Sequence, residues 1–170
     1  MSTQKIILFI GPDNSGKTTI ANALSKKVNI PYYKKENEKD TFYKKDLNVL
    51  FSEAFYMFSF LKNTGYSIIR DREYPCEYVY SSVYNRETNV DLIWELDSKY
   101  STLNTKIIYC YKEKYIDFSD EVVQLSKISE LKSYYEIFLK KTKNNILKLD
   151  TTTEDLDSQL VSILNFIGEV

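Results

Sequence analysis

Apolar positions along the chain fall into two alternating kinds of pattern. Three stretches are continuously apolar between turn residues: "KIILFI" (5–10), "YSIIRD" (66–71) and "KIIYCY" (106–111). Runs of that length without a polar face predict strands buried on both sides, as in parallel sheets. Two weaker candidates are "IPYYK" (30–34) and "NILKLD" (145–150). Between them the apolar residues recur at helical spacing: Ile20, Leu24 and Val28; Leu47, Leu50, Phe51, Ala54, Phe58 and Leu61; Ile128, Leu131, Tyr135, Phe138 and Leu139. A last helix carries Leu156, Leu160, Ile163, Leu164 and Ile167, with Thr152 and Asp155 spaced as a capping pair and Gly168 as its stop. Strands alternating with helices over the whole length predict a three-layer α/β fold around a mainly parallel, five-stranded sheet. No repeat or linker interrupts the pattern, so residues 1–170 read as a single domain. The lysine-rich stretch 32–46 reads as a solvated loop or mobile flap.

Composition narrows the chemistry. Lys and Arg total 23 against 24 Asp and Glu, a formal charge of -1, so no global basic field draws the chain to nucleic acid or an anionic membrane. Any nucleic-acid role must come from a local site. Histidine is absent, which removes every mechanism that needs an imidazole base. Proton handling falls to carboxylates or water. Cys76 and Cys110 stand far apart without CxxC spacing and read as free thiols in a reducing, cytoplasmic setting. The N-terminal apolar run is too short for a signal peptide, and 47–61 is broken by Asn48, Ser52, Glu53 and Ser59, so no segment is expected to span a membrane.

Directly after the first strand comes "GPDNSGKTT" (11–19), which satisfies G-x-x-x-x-G-K-[ST] with a strand before it and a helix after it. That context predicts a phosphate-binding loop and a P-loop NTPase fold. Gly11 and Gly16 let backbone N–H groups face phosphate oxygens, Lys17 brings a charge to the β- and γ-phosphates, and Thr18 offers a hydroxyl to Mg²⁺. Asn14, Ser15 and Thr19 complete the set expected to hold ATP. A second informative stretch, "IIRDREYPCEYVY" (68–80), places Asp71 and Arg72 at the C-terminal end of a buried strand, where open α/β sheets hold ligands. Asp71 suits a magnesium carboxylate and Arg72 a two-point clamp on phosphoryl oxygens. Arginine is scarce: Arg70, Arg72 and Arg86 stand against twenty lysines.

Three pieces together resemble the thymidylate kinase branch of the nucleoside monophosphate kinases. "GPDNSGKTT" is similar to that family's G-x-D-G-x-G-K-T-T loop, "LFSEAFY" to its LF-x-A-x-R helix segment, and "DREYPCEYVY" to its DR-Y-x-x-S-x-x-[AV]-[YF] motif. The resemblance covers about the first half of the chain. It implies that Asp13 meets the acceptor's sugar 3′-hydroxyl, that Asp71 assists magnesium, and that Arg72 bridges the phosphates during transfer. It also implies that Phe51 stacks on the acceptor base and that Tyr80 closes the same pocket. Phe51 serves equally well as core, because its helix is already rich in aromatics. Cys76, in place of the family's serine, reads as a helix-start or packing residue.

Two departures bear on the acceptor. The family's helix arginine falls on Phe55, and the stretch corresponding to its arginine-rich lid, 111–127, contains lysines but no arginine. Lys112 and Lys114 offer point charges, which do not reproduce bidentate phosphate recognition. The resemblance therefore implies a kinase for a deoxynucleoside monophosphate, pyrimidine or modified pyrimidine. The alternatives are a kinase for a hydroxyl on a nucleoside or on a 5-hydroxymethyl-pyrimidine in DNA, as in bacteriophage relatives, and a module that binds ATP without transfer. Pairing into a homodimer through helices such as 47–61 is a further implication.

Overall fold

The computed structural model describes residues 4–34, 47–115, 125–153 and 155–169. In chain order they form β1 (Ile6–Ile10), α1 (Lys17–Val28), β2 (Tyr32–Lys34), α2 (Leu47–Thr64), β3 (Ile68–Asp71), α3 (Tyr74–Val83), α4 (Val90–Ser101), β4 (Lys106–Tyr111), α5 (Ile128–Lys141), β5 (Asn145–Asp150) and α6 (Leu156–Ile167). A 3₁₀ turn, Leu125–Lys127, leads into α5. The lysine-rich residues 35–46 and much of the expected lid, 116–124, lie outside the described residues.

The five strands make one sheet in the order β2-β3-β1-β4-β5, and every pairing is parallel. All five expected strands are present, and each of the four expected helices forms. β1 is central and has no exposed residue, which is why its five positions carry only Ile, Leu and Phe. Its side chains alternate between two cores. Ile6, Leu8 and Ile10 pack under α2 to α5 with Phe58, Leu96, Tyr100, Leu131 and Phe138. Ile7 and Phe9 pack with Ile20 and Leu24 of α1 and with Leu160 and Ile163 of α6. The result is the expected three-layer P-loop NTPase architecture. No helix among the described residues is long and apolar enough to cross a membrane.

Two details differ from the expectation. The α6 cap is Asp155 itself, whose side chain accepts from the Ser158 N–H, whereas Thr152 bonds the Asp150 carboxylate and accepts from the Glu113 N–H. An aspartate at the N-cap leaves the threonine free to tie the ends of β4 and β5 together. Gly168 does stop the helix, in the left-handed conformation with φ 73°. Helix α4 was not among the segments read as helical. Its signal is present in Asn89, which caps Leu92 N, and in the buried spacing of Ile93, Leu96 and Tyr100.

Asp97 of α4 is 1% exposed and receives Tyr74 Oη at 3.1 Å, Asn144 Nδ2 at 2.8 Å and the Lys143 N–H at 2.9 Å, with Thr142 Oγ1 as a fourth donor. A carboxylate with four donors ties α3, α4 and the α5–β5 turn together. Asp97→Ala is expected to lower stability by about 3 kcal/mol, because it strands buried donors. Urea denaturation of the variant checks this.

Candidate active site

Gly11 follows β1 with φ 139°, and a Cβ built there would lie 2.0 Å from the Cys110 carbonyl oxygen of β4. Only glycine lets the chain turn so close to the neighbouring strand. Asn14 and Gly16 are also left-handed, with φ 59° and 80°, and α1 begins at Lys17 immediately after. No side chain caps α1 and no acid stands in its first turn, so its leading N–H groups are available to an anion. The loop is braced from two remote elements. Tyr135 of α5 donates its hydroxyl to the Gly11 carbonyl at 3.1 Å, and Thr151 Oγ1 donates to the Ser15 carbonyl at 2.8 Å.

Lys17 lies inside this loop, 5% exposed, and donates to the Pro12 carbonyl at 2.6 Å and to Ser15 Oγ at 3.4 Å. Burial pushes its pKa below the ordinary lysine value, against the opposing pull of Asp13 and Asp71 and with some help from Arg72.

Across the loop, Thr18 Oγ1 donates to Asp71 Oδ2 at 2.7 Å, and Tyr32 Oη of β2 donates to the same oxygen at 3.1 Å. Asp71 is wholly buried, and among the described residues its Oδ1 has no hydrogen-bond partner. Burial and the Asp71 charge raise the Tyr32 phenol to about 12, which keeps it a donor. Among the described residues there is no group of three or more metal-ligating His, Cys, Asp or Glu side chains. A magnesium ion bound with a nucleoside triphosphate does not need one, since phosphate and water fill most of its positions. The Thr18 hydroxyl and the orphaned Asp71 oxygen fit that requirement.

At the other end of the loop, the Arg72 guanidinium forms an ion pair with Asp13 Oδ1, and Asp13 is 5% exposed. Arg72 has φ 69°, a left-handed backbone that is costly for a long side chain. Tyr80 is half-buried beside Asp13 and stacks on Tyr84 at 6.0 Å. Burial, and the charge of Asp13 after it, raise its phenol well above the ordinary tyrosine value. Asp13, Lys17, Thr18, Asp71, Arg72 and Tyr80 therefore converge on the C-terminal ends of β1 and β3. Phe51 does not stand open to a ligand: it is 4% exposed and packed in the core beneath α2. Phe55 carries the Lys99 ammonium 6.0 Å from its ring. Cys76 is buried in the first turn of α3, as a packing residue, with its Sγ 3.4 Å from Tyr135 Oη.

Tyr32, Tyr135 and Thr151 escaped the sequence reading. Tyr135 was visible only as a member of an apolar helical stripe, and its hydroxyl acquires a partner only when α5 folds over β1.

No protein-family model matches this sequence, and no curated protein matches it. The fold does have relatives among solved structures. The chain is similar to YorR from Bacillus subtilis, solved with phosphorylated GDP, with a TM-score of 0.75 and 18% identity over 96% of each chain. It is similar to thymidylate kinase from Candida albicans, with a TM-score of 0.65 and 19% identity over 99% of this chain and 95% of that one. It is also similar to deoxyadenosine kinase from M. mycoides with bound dATP, with a TM-score of 0.60 and 22% identity over 95% and 98% of the two chains. These likenesses establish the fold shared by nucleotide and nucleoside kinases over essentially the whole chain.

Gly11→Ala is expected to weaken Mg·ATP binding at least about tenfold, since any Cβ there must push the loop off β4. Calorimetric titration, with circular dichroism as the control for folding, measures it.

Proposed function

We propose that this protein is an ATP- and magnesium-dependent phosphotransferase that moves the γ-phosphoryl group to a deoxynucleoside monophosphate, pyrimidine or modified pyrimidine. The observation that carries the reading is the division of one loop between a hydroxyl–carboxylate pair and an ion pair. Thr18 and Asp71 flank the loop where a donor's metal is held, and Asp13 and Arg72 pair at its other end. Such a transfer needs positioning and charge stabilisation and no covalent nucleophile, which suits a chain without histidine.

In this reading the N–H groups of 11–19 and Lys17 hold the donor's β- and γ-phosphates. Magnesium, when bound, neutralises phosphate charge beside Thr18 and Asp71. Arg72 spans the oxygens of the moving group, and Asp13 accepts a hydrogen bond from the acceptor's sugar. Tyr80 closes the acceptor side. Buried, unpaired Cys76 and Cys110 fit a reducing compartment, which supports a cytoplasmic location.

A second reading is favoured by the arginines. Each is paired with carboxylates: Arg72 with Asp13, Arg86 with Glu77 at 3.6 Å, and Arg70 with Glu53 and Glu73. With Phe55 in place of a helix arginine, an acceptor without a terminal phosphate fits as well. That acceptor is a hydroxyl of a nucleoside or of a 5-hydroxymethyl-pyrimidine in DNA.

The protein incubated with Mg·ATP and, separately, deoxynucleoside monophosphates, free nucleosides and DNA containing 5-hydroxymethyluracil distinguishes these readings by the mass of each acceptor. ATP binding without transfer to any of them overturns both and leaves a nucleotide-binding module. Lys17→Ala is expected to lower kcat by about 10²-fold or more while the fold persists, because it removes charge stabilisation from the transferring group. Steady-state kinetics beside a thermal melt decides that. For Asp13→Ala the acceptor KM should rise more than the ATP KM; equal rises would assign Asp13 to the donor loop alone.

A further inference from the structure

Arg70 is the largest wholly buried side chain among the described residues, and nothing in the phosphate site accounts for it. It precedes Asp71 on β3, so its side chain leaves the opposite face of the sheet. There its Nη2 meets Glu53 Oε1 of α2 at 3.2 Å and forms an ion pair with Glu73, while its guanidinium carbon lies 4.7 Å from the centre of the Tyr33 ring. Burial works against the charge, but Glu73 and then Glu53 outweigh it and raise the pKa.

Glu73 is equally unusual. It occupies the N-cap of α3, yet its side chain makes no capping bond and instead turns back, fully buried, onto Arg70. A buried ion pair adds little stability over an apolar pair of the same volume, so its contribution lies in geometry. The two residues enclosed between its ends are Asp71 and Arg72. Arg72 is the residue held at φ 69°, with its N–H donating to the Phe9 carbonyl at 3.2 Å and its guanidinium on Asp13. A non-glycine backbone persists there only where its surroundings over-determine it.

We propose that Arg70 and Glu73 form a positioning clamp that closes across residues 71 and 72 and holds Arg72 left-handed. The clamp sends the Arg72 guanidinium over the phosphate loop to Asp13 and leaves the Asp71 carboxylate on Thr18. Arg70 and Glu73 touch no substrate in this arrangement. Their effect on catalysis rests on the reading of Arg72 as the phosphoryl clamp, whereas their effect on the backbone does not.

The test is the paired variant Arg70→Met/Glu73→Leu, which keeps the core filled and leaves no buried charge without its partner; Glu53 retains access to water. Its crystal structure is expected to show residue 72 outside the left-handed region and Arg72 away from Asp13. With transfer as readout, kcat should fall about tenfold or more and the ATP KM should change less than about threefold, as for a misdirected catalytic group. In an Arg72→Gly background, where a left-handed backbone carries no penalty, the paired variant should add almost no further loss. Retention of φ near 69° with Arg72 still on Asp13, or losses that simply add, overturns the clamp. If the paired variant does not fold, Glu73→Gln, which preserves side-chain shape, is judged by the same backbone angle and the same cycle. Absence of transfer by the unaltered protein defeats the kinase reading, and the crystallographic readout still decides the clamp.

Discussion

The phosphate loop lies so close to β4 that a single methyl group at position 11 would overlap the Cys110 carbonyl oxygen. The arrangement of the site depends on that closeness. It brings the Gly11 carbonyl within reach of Tyr135 and the Ser15 carbonyl within reach of Thr151, so that both ends of the loop are held by side chains from elements far along the chain. A loop braced in this way presents its N–H groups and the start of α1 in one direction without reorganising, which is the condition for strong anion binding.

The end of β3 then distributes charge around that loop. Three consecutive residues of one strand end point to three different places: Arg70 into the core under α2, Asp71 to Thr18 and Tyr32, and Arg72 to Asp13. Strand alternation separates the first two. The left-handed turn at Arg72 breaks the alternation and brings the third toward the loop. Asp71 and Arg72, neighbours in the chain, thus reach opposite ends of the loop, one at Thr18 and the other at Asp13.

Much of this was legible in the chain. The glycine–lysine–threonine spacing after a buried strand points to a phosphate loop, because few other uses of those residues require that order. Asp71 and Arg72 were legible because they end an apolar run. Phe51 was not settled by pattern: on a helix with seven other buried or half-buried apolar positions, a core ring and a ligand ring obey the same spacing, and only packing placed it inside. Thr152 and Asp155 were similarly ambiguous, since either can cap a helix. The choice went to Asp155 because Thr152 is engaged with Asp150 and Glu113.

The sequence by itself determined the alternation of strands and helices, the parallel sheet and the location of the phosphate loop, because these follow from local periodicity and from the backbone freedom of glycine. The tertiary structure alone decided which side chains share a space. Tyr32 reaches Asp71 from 39 residues away and Tyr135 reaches Gly11 from 124 residues away, contacts that exist only after β2 joins β3 and α5 covers the sheet. The same holds for the left-handed turn at Arg72: no residue preference predicts it, and the surrounding packing and ion pairs hold it.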